Sequence, residues 1–199
     1  MNTTISLFLA ALLLKLGVYG ILRYIYNSLF MWLCVCVCGV LVFSIVGSFV
    51  VLGCLIRCYD IKKIIGYSSI LHLSFNLMVL FGLNIIALFS GIICSVSHGF
   101  ASLGLFLIVG IMINKSYSRY MDCWYFIDYL YLVCLVVLLL CNLSFPGSMN
   151  FMSELLSLVC IYEIDCYMYM LFIIYSFLSY FYFLVCFSRV IPIISSYIM

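Results

Sequence analysis

One uncharged run decides the fold: residues 85–113, which read IIALFSGIICSVSHGFASLGLFLIVGIMI. A helix needs about 20 apolar residues to cross the hydrocarbon core of a bilayer, and this run is longer. The only side chain in the run that titrates near neutral pH is His98. We therefore expect residues 85–113 to form a helix that spans a membrane.

Similar apolar runs cover most of the remaining chain. Of the 199 residues, 69% are hydrophobic and only 7% are charged, whereas about 25% of the residues in a soluble domain are charged. Charged residues separate the runs, which we place at residues 4–24, 31–56, 64–82, 85–113, 124–161 and 167–187. The sequence predicts an all-α, polytopic transmembrane helix bundle of about six spans, with residues 1–199 forming a single membrane domain.

The composition also excludes several classes of protein. So few charges do not cover the surface of a soluble globule, and so many apolar residues are untypical of a disordered chain. A net charge of +2 provides no basic patch for nucleic acid, so we expect lipids as partners and no nucleic acid. The 12 cysteines lie mostly inside apolar runs, where we interpret them as small buried hydrophobes. We expect no metal site: Cys34, Cys36 and Cys38 alternate along a helix and would point about 200° apart.

The run at residues 124–161 is interrupted at Pro146-Gly147. Proline removes a backbone donor and glycine loosens a helix. The segment is short for two spans with a loop between them, so we interpret it as one discontinuous transmembrane helix. Such helices often line ion paths. The alternative is a plain turn between two short spans.

Basic residues predict the orientation. If residues 124–161 cross once, nearly all of the basic side chains lie on the side where the chain begins, namely Arg57, Lys62, Lys63, Lys115, Arg119 and Arg189. Arg23 and the acidic pair Glu163 and Asp165 lie on the other side. By the positive-inside rule, the N-terminus faces the cytoplasm or matrix.

Titratable residues near the middle of the runs are the candidate functional residues. Lys15, His72, His98 and Glu154 each lie on a different predicted helix at similar depth. A charge at that depth costs roughly 2.5–3.5 kcal/mol on insertion scales, and such residues usually face a bundle interior or water. We therefore predict a proton path in the membrane plane through these four side chains.

Each of the four residues also has a structural interpretation. Lys15 could extend its ammonium towards an interface, and His72 and His98 could simply hydrogen-bond between packed helices. Glu154 could cap the second half of the interrupted helix. Helix axes about 8–10 Å apart require bridging groups between the four residues, and we consider internal water and the hydroxyls of Ser69, Ser74, Ser95, Ser97 and Tyr67.

Around these residues the chain resembles the antiporter-like membrane subunits of respiratory complex I, and most of all the chain 4 type. Four stretches carry the resemblance. They are LLKLGVYGILR at residues 13–23, DIKKIIGYSSILH at 60–72, HGFASLGLF at 98–106 and PGSMNFMSE at 146–154. Their order and spacing also fit, and they extend over nearly the full chain.

The resemblance implies a role for each residue. Lys15 matches the lysine that links two half-channels, His72 the connecting histidine, and Glu154 the glutamate of the broken helix that ends the path. His98 matches a less central polar position. It also implies that the chain itself holds no cofactor, and that FMN, iron–sulfur clusters and ubiquinone bind in other subunits.

The family is about twice as long as this chain and is built from two inverted repeats, of which only the second is recognisable here. The resemblance therefore implies that other membrane-arm subunits are partners, including one that supplies the missing glutamate–lysine pair. The Phe-, Tyr- and Cys-rich composition favours the mitochondrial inner membrane. Two alternatives stay open: a structural subunit that no longer pumps, and a stand-alone cation/proton antiporter subunit.

Overall fold

The computed structural model describes residues 3–27, 33–80, 84–124 and 128–164, together with residues 169–170, 172–174, 176–177, 180 and 188. Over these residues the backbone is helical apart from short connections and one isolated β-bridge between Asp60 and Tyr120. The prediction of an all-α fold is thus confirmed for the described part of the chain.

The helix boundaries follow the apolar runs closely. The helices are α1 (Thr3–Phe8), α2 (Leu14–Asn27), α3 (Leu33–Arg57), α4 (Ile61–Leu80), α5 (Ile85–Ser116), α6 (Tyr129–Asn142) and α7 (Met149–Ile164). A π-helical turn, Leu9–Leu13, joins α1 to α2, and a 3-10 turn, Met121–Cys123, lies between α5 and α6.

Two of the helices, α4 and α5, are long and apolar enough to cross a membrane by length and composition. The total of about six spans stays a prediction. Most of the last predicted span, residues 167–187, lies outside the described residues, as do Asp165 and Arg189.

Helix α5 is the centre of the bundle. It packs against α4, α6 and α7 and against the N-terminal helices. Its inner face includes Leu105, Val109 and Met112, which are fully buried. Asn76 of α4 donates a hydrogen bond of 3.2 Å to the carbonyl of Gly91, so α4 and α5 approach closely at that glycine. Burial of this apolar face stabilises the arrangement, and α3 joins the bundle by packing on α4.

Helices α6 and α7 pack against α5 one after the other, with Pro146-Gly147 between them. Successive residues of α6 and α7 contact successively earlier residues of α5, while α6 and α7 contact each other little. The pairs are Lys115–Asp128, Gly104–Leu138, His98–Asn142, Ser97–Asn150 and Asn84–Glu163. In a hairpin, α7 would instead return along α6. The break at Pro146-Gly147 is confirmed, because α6 ends at Asn142 and α7 begins at Met149. The interpretation of both as one discontinuous transmembrane helix, and not as two short spans, stays a prediction.

The start of the fifth run was predicted too early. Trp124 does not begin a helix: it is fully buried, follows the 3-10 turn, and donates its indole N–H to the carbonyl of Ser118 at 3.3 Å. Its aromatic ring therefore holds the connection between α5 and α6 against the core, and α6 begins only at Tyr129.

Two basic connections lie at the same end of the bundle. The β-bridge joins Asp60 to Tyr120, and the N–H of Ile61 donates to the carbonyl of Arg119 at 3.4 Å. Lys63 forms an ion pair of 3.2 Å with Asp60. The prediction that the basic segments near residues 57–63 and 115–119 share one end is confirmed, whereas their orientation to a membrane stays a prediction.

The glycine contact between α4 and α5 is testable. A Cβ at Gly91 would lie 2.4 Å from Cδ2 of the buried Leu80 and 3.0 Å from Oδ1 of Asn76. We expect Gly91→Ala to lower the stability of the full chain in lipid nanodiscs by about 1–3 kcal/mol, because the packed contact cannot absorb a methyl group. Thermal unfolding followed by circular dichroism measures this change.

Gly53→Ala is the matched control, because a Cβ at that helical position has nothing within 4 Å. It should leave stability unchanged or raise it by up to about 1 kcal/mol. Equal melting temperatures for the two variants would show that α4 and α5 do not pack closely at Gly91.

Candidate functional site

The four predicted site residues lie around the middle of α5. Lys15 is on α2, His72 on α4, His98 on α5 itself and Glu154 on α7. These helices pack together because each turns small or apolar residues towards α5, so the polar side chains that they carry are brought into one layer.

The two histidines are in direct contact. Their ring centroids are 4.8 Å apart, with the planes tilted by 32°. His98 is 2% exposed and His72 is partly buried. The pair therefore joins α4 to α5.

Asn142, the last residue of α6, connects the histidine pair to the helix interruption. Its Oδ1 lies 3.1 Å from Nδ1 of His98, and its Nδ2 donates to Oγ of Ser68 at 3.3 Å. The side chain is buried. One amide thus holds α4, α5 and α6 together at the point where α6 ends.

Glu154 lies on the other side of the interruption. The hydroxyl of Ser144, in the connection between α6 and α7, donates to Oε1 of Glu154. The hydroxyl of Tyr180 donates to Oε2 at 3.1 Å. Glu154 does not cap α7 in the way considered from the sequence, because its two oxygens are occupied by side chains of other segments.

Lys15 reaches α5 one residue beyond His98. A Cβ added at Gly99 would lie 3.5 Å from Cε of Lys15, so the aliphatic part of the lysine packs on that glycine. Its Nζ donates to the carbonyl of Ala10 at 2.7 Å. Ala10 belongs to the π-helical turn, and the ammonium is therefore held by its own helix beside the histidines.

A second asparagine forms hydrogen bonds across the interruption. Asn150, at the start of α7, accepts a hydrogen bond from the hydroxyl of Ser97 on α5 and donates one of 3.0 Å to the carbonyl of Cys141. Ser148 caps α7 by accepting the N–H of Phe151 at 3.3 Å. Gly147 has φ +100, a conformation that side chains with a Cβ rarely adopt.

A cavity of about 340 Å³ opens beside the interruption. Its lining includes Ser97, Asn150, Gly147 and the apolar side chains of Phe100 and Leu138. Its lining is mainly apolar and includes none of the four predicted site residues.

Most of the hydroxyls considered as bridges have another role. Those of Ser69, Ser74 and Ser95 donate to carbonyls three residues earlier in their own helices. Tyr67 packs at the edge of the apolar core. Of the hydroxyls considered, only Ser97 is shown bonded to another helix in the described part of the chain.

Several functional candidates were missed in the sequence. They are Ser68, Asn142, Ser144, Asn150 and Tyr180. The two asparagines carried a detectable signal, because polar residues inside apolar helices usually face a bundle interior. Ser68, Ser144 and Tyr180 carried none, since serine and tyrosine occur throughout this chain.

The four predicted site residues are linked to polar groups of neighbouring segments. Within residues 3–27, 33–80, 84–124, 128–164 and the described positions beyond, no group of three or more His, Cys, Asp or Glu side chains could hold a metal ion. Two imidazoles, an ammonium and a carboxyl group are instead linked to amides and hydroxyls, which can order a chain of hydrogen bonds.

Comparison with known proteins gives a consistent result. Residues 1–180 match the family model described as NADH:quinone oxidoreductase/Mrp antiporter, transmembrane. NADH-ubiquinone oxidoreductase chain 4 of Acanthamoeba castellanii is 32% identical over 167 residues, which cover 79% of this chain and 32% of that protein. Chain 4 of Prototheca wickerhamii is 34% identical over 163 residues, covering 79% and 31%.

A third relative, chain 4 of Ascaris suum, is 34% identical over 161 residues, covering 76% of this chain and 37% of that protein. These matches confirm the resemblance to the antiporter-like subunits. In each of these three relatives the matched part is about a third of the length.

The bonds to Glu154 are testable by infrared spectroscopy. Ser144→Ala removes the donor to Oε1, so we expect the carboxyl band of Glu154, assigned by its loss in Glu154→Gln, to shift. Stability of the full chain in nanodiscs should fall by about 1 kcal/mol, because the partly buried carboxyl group loses one of its two donors.

Ser148→Ala is the matched control from the same connection. It removes the cap of α7 and should lower stability by about 1 kcal/mol while the Glu154 band stays in place. An unshifted band in Ser144→Ala would show that Ser144 does not hold the carboxyl group.

Proposed function

The chain belongs to the NADH:quinone oxidoreductase/Mrp antiporter transmembrane family, and from that membership we propose that it is a proton-translocating membrane-arm subunit of NADH:ubiquinone oxidoreductase, respiratory complex I. In this proposal the chain performs no redox chemistry. FMN, iron–sulfur clusters and ubiquinone bind in other subunits, and the energy of quinone reduction drives proton movement through this one.

The observation that carries the proposal is the convergence of Lys15, His72, His98 and Glu154 on one level of α5. Lys15 packs on Gly99 and the two imidazoles are in contact. Ser153, next to Glu154, lies beside Cys94, one turn before His98. Four titratable side chains within about two turns of one helix are costly in a purely structural bundle.

The proposed path runs from Lys15 past the histidine pair and across the interruption to Glu154. Imidazole and carboxyl groups accept and release protons readily, whereas the amides of Asn142 and Asn150 position their neighbours. In this proposal, internal water would bridge the gap between the histidines and the carboxyl group.

The helix interruption gives the path its location. The connection at residues 143–148 lies between α6 and α7. It places the hydroxyl of Ser144 within hydrogen-bond distance of the Glu154 carboxyl group. Freed backbone groups at membrane depth are tolerated only where protein or internal water satisfies them. The side chain of Asn150 provides a hydrogen bond of this kind to the carbonyl of Cys141.

We further propose that this chain works with other membrane-arm subunits in the mitochondrial inner membrane. Its match spans about a third of the relatives' length. Surrounding lipids would cover the exposed apolar side chains of the bundle, which include Phe43, Phe100 and Phe177.

Charge removal in the assembled complex tests the path. We expect Glu154→Gln and Lys15→Ala each to slow proton transfer through this chain by about two orders of magnitude, the contribution typical of a positioned acid–base group. The measurement is proton uptake by proteoliposomes containing the complex during NADH oxidation.

Glu163→Gln and Lys63→Ala are matched controls of the same residue types. Glu163 lies at the far end of α7 and is exposed, and the side chain of Lys63 is 64% exposed. Both should pump normally. If Glu154→Gln and Lys15→Ala also pump normally while deletion of the chain prevents assembly, the chain is a structural subunit. Purification without any NADH-oxidising partner would favour a stand-alone cation/proton antiporter.

A further inference from the structure

We propose that Asn142 is a positioning residue that holds His98 in the Nδ1–H tautomer, so that Nε2 is the atom through which His98 both takes and returns a proton. This inference deepens the proposed function and rests on it for its biological meaning. Its structural part, the tautomer, stands on the hydrogen bonds alone.

The orientation of the Asn142 amide follows from its neighbour on α4. The hydroxyl of Ser68 donates to the carbonyl of Ile65 at 2.8 Å, so its single proton is committed. The oxygen of Ser68 must then accept from the group that faces it, which is Nδ2 of Asn142 at 3.3 Å. An amide has its donor and its acceptor on opposite sides, so Oδ1 faces the imidazole.

The tautomer of His98 follows from that orientation. Nδ1 lies 3.1 Å from Oδ1 of Asn142, and an amide oxygen accepts hydrogen bonds and donates none. Nδ1 must therefore carry the proton. In the neutral ring the other nitrogen, Nε2, is then an unprotonated acceptor.

The Nε2 atom is the unusual feature of this ring. His98 is only 2% exposed, and its Nε2 has no hydrogen-bond partner among the described residues. The nearest ring is that of His72, with its centroid 4.8 Å away. Buried nitrogens are normally paired, so a bare acceptor beside a second histidine is a proton-receiving position.

The chemistry makes His98 a storage site with one entrance. A proton that arrives at Nε2 converts the imidazole to an imidazolium with both nitrogens protonated. The Nδ1 proton cannot leave towards Asn142, because an amide oxygen is too weak a base to accept it. The neutral Nδ1–H imidazole is therefore restored only when Nε2 releases its proton. An imidazole with a proton-exchanging partner at each nitrogen would instead receive a proton on one nitrogen and release one from the other.

The position of Asn142 relates this tautomer to the helix interruption. Asn142 ends α6, and Ser144 two residues later bonds to Glu154. A movement of the connection at residues 143–148 would therefore disturb both the Nδ1 bond and the carboxyl group. Asn142 is positioned to link the state of Glu154 to that of His98.

Nitrogen NMR of the full chain in nanodiscs tests the assignment. The chain has 2 histidines, so labelling with ¹⁵N-histidine reports only on His72 and His98, and His72→Gln isolates the second. We expect His98 to show a protonated Nδ1 and an unprotonated Nε2. A protonated Nε2 with a bare Nδ1 in the unsubstituted chain overturns the proposal without any further variant.

The variant Asn142→Leu tests the cause. It removes the acceptor at similar size, and we expect the bare-Nε2 signal to be lost in favour of the Nε2–H form that free histidine prefers. Asn76→Leu is the matched control: Asn76 is as buried, but it bonds to the carbonyl of Gly91 and lies away from the interruption. It should keep the original spectrum. An unchanged spectrum in Asn142→Leu contradicts the role of Asn142.

Failure of this inference is distinguishable from failure of the proposed function. If the spectra behave as expected but Glu154→Gln and Lys15→Ala pump normally, the tautomer assignment holds and the proton-pumping role fails. If those two variants stop pumping while His98 carries its proton on Nε2, the pumping role holds and this inference fails.

Discussion

Polar groups buried among apolar helices need hydrogen-bond partners within the protein, and this constraint organises the centre of the bundle. The interruption between α6 and α7 frees backbone groups in the middle of an otherwise apolar run. Asn150 donates to the carbonyl of Cys141, which also accepts the N–H of Ser144 at 3.4 Å. The Oδ1 atom of Asn150 accepts a hydrogen bond from Ser97 on α5. The interruption is therefore tolerated because α5 lies beside it with polar groups at the right level.

The same constraint explains why the polar residues form connected groups. Asn142 satisfies His98 and Ser68 together, and Ser144 and Tyr180 both donate to Glu154. A partly satisfied polar cluster in a low-dielectric interior is worse than an apolar one. The bare acceptors on Asn76 and His98 are exceptions, and the second lies in the candidate path.

Several features of the fold and of the candidate site were predictable from the sequence. Apolar runs bounded by charges predicted the helices to within a few residues, and Pro146-Gly147 predicted the interruption. Lys15, His72, His98 and Glu154 were recognisable because titratable side chains are rare and costly in such runs. The beginning of α6 was predicted too early, because the apolar pattern includes Trp124. That residue follows a 3-10 turn, and its ring is buried in the core.

The sequence by itself determined the helical class, the boundaries of the apolar runs and the approximate level of each titratable residue, because these depend on spacing along one chain. Only the tertiary structure decided which side chains meet. The contact of His72 with His98 and the bond of Tyr180 to Glu154 join residues far apart in sequence. Such pairs depend on how helices rotate and slide against α5, and that is set by the packing of glycines and apolar side chains around the whole bundle.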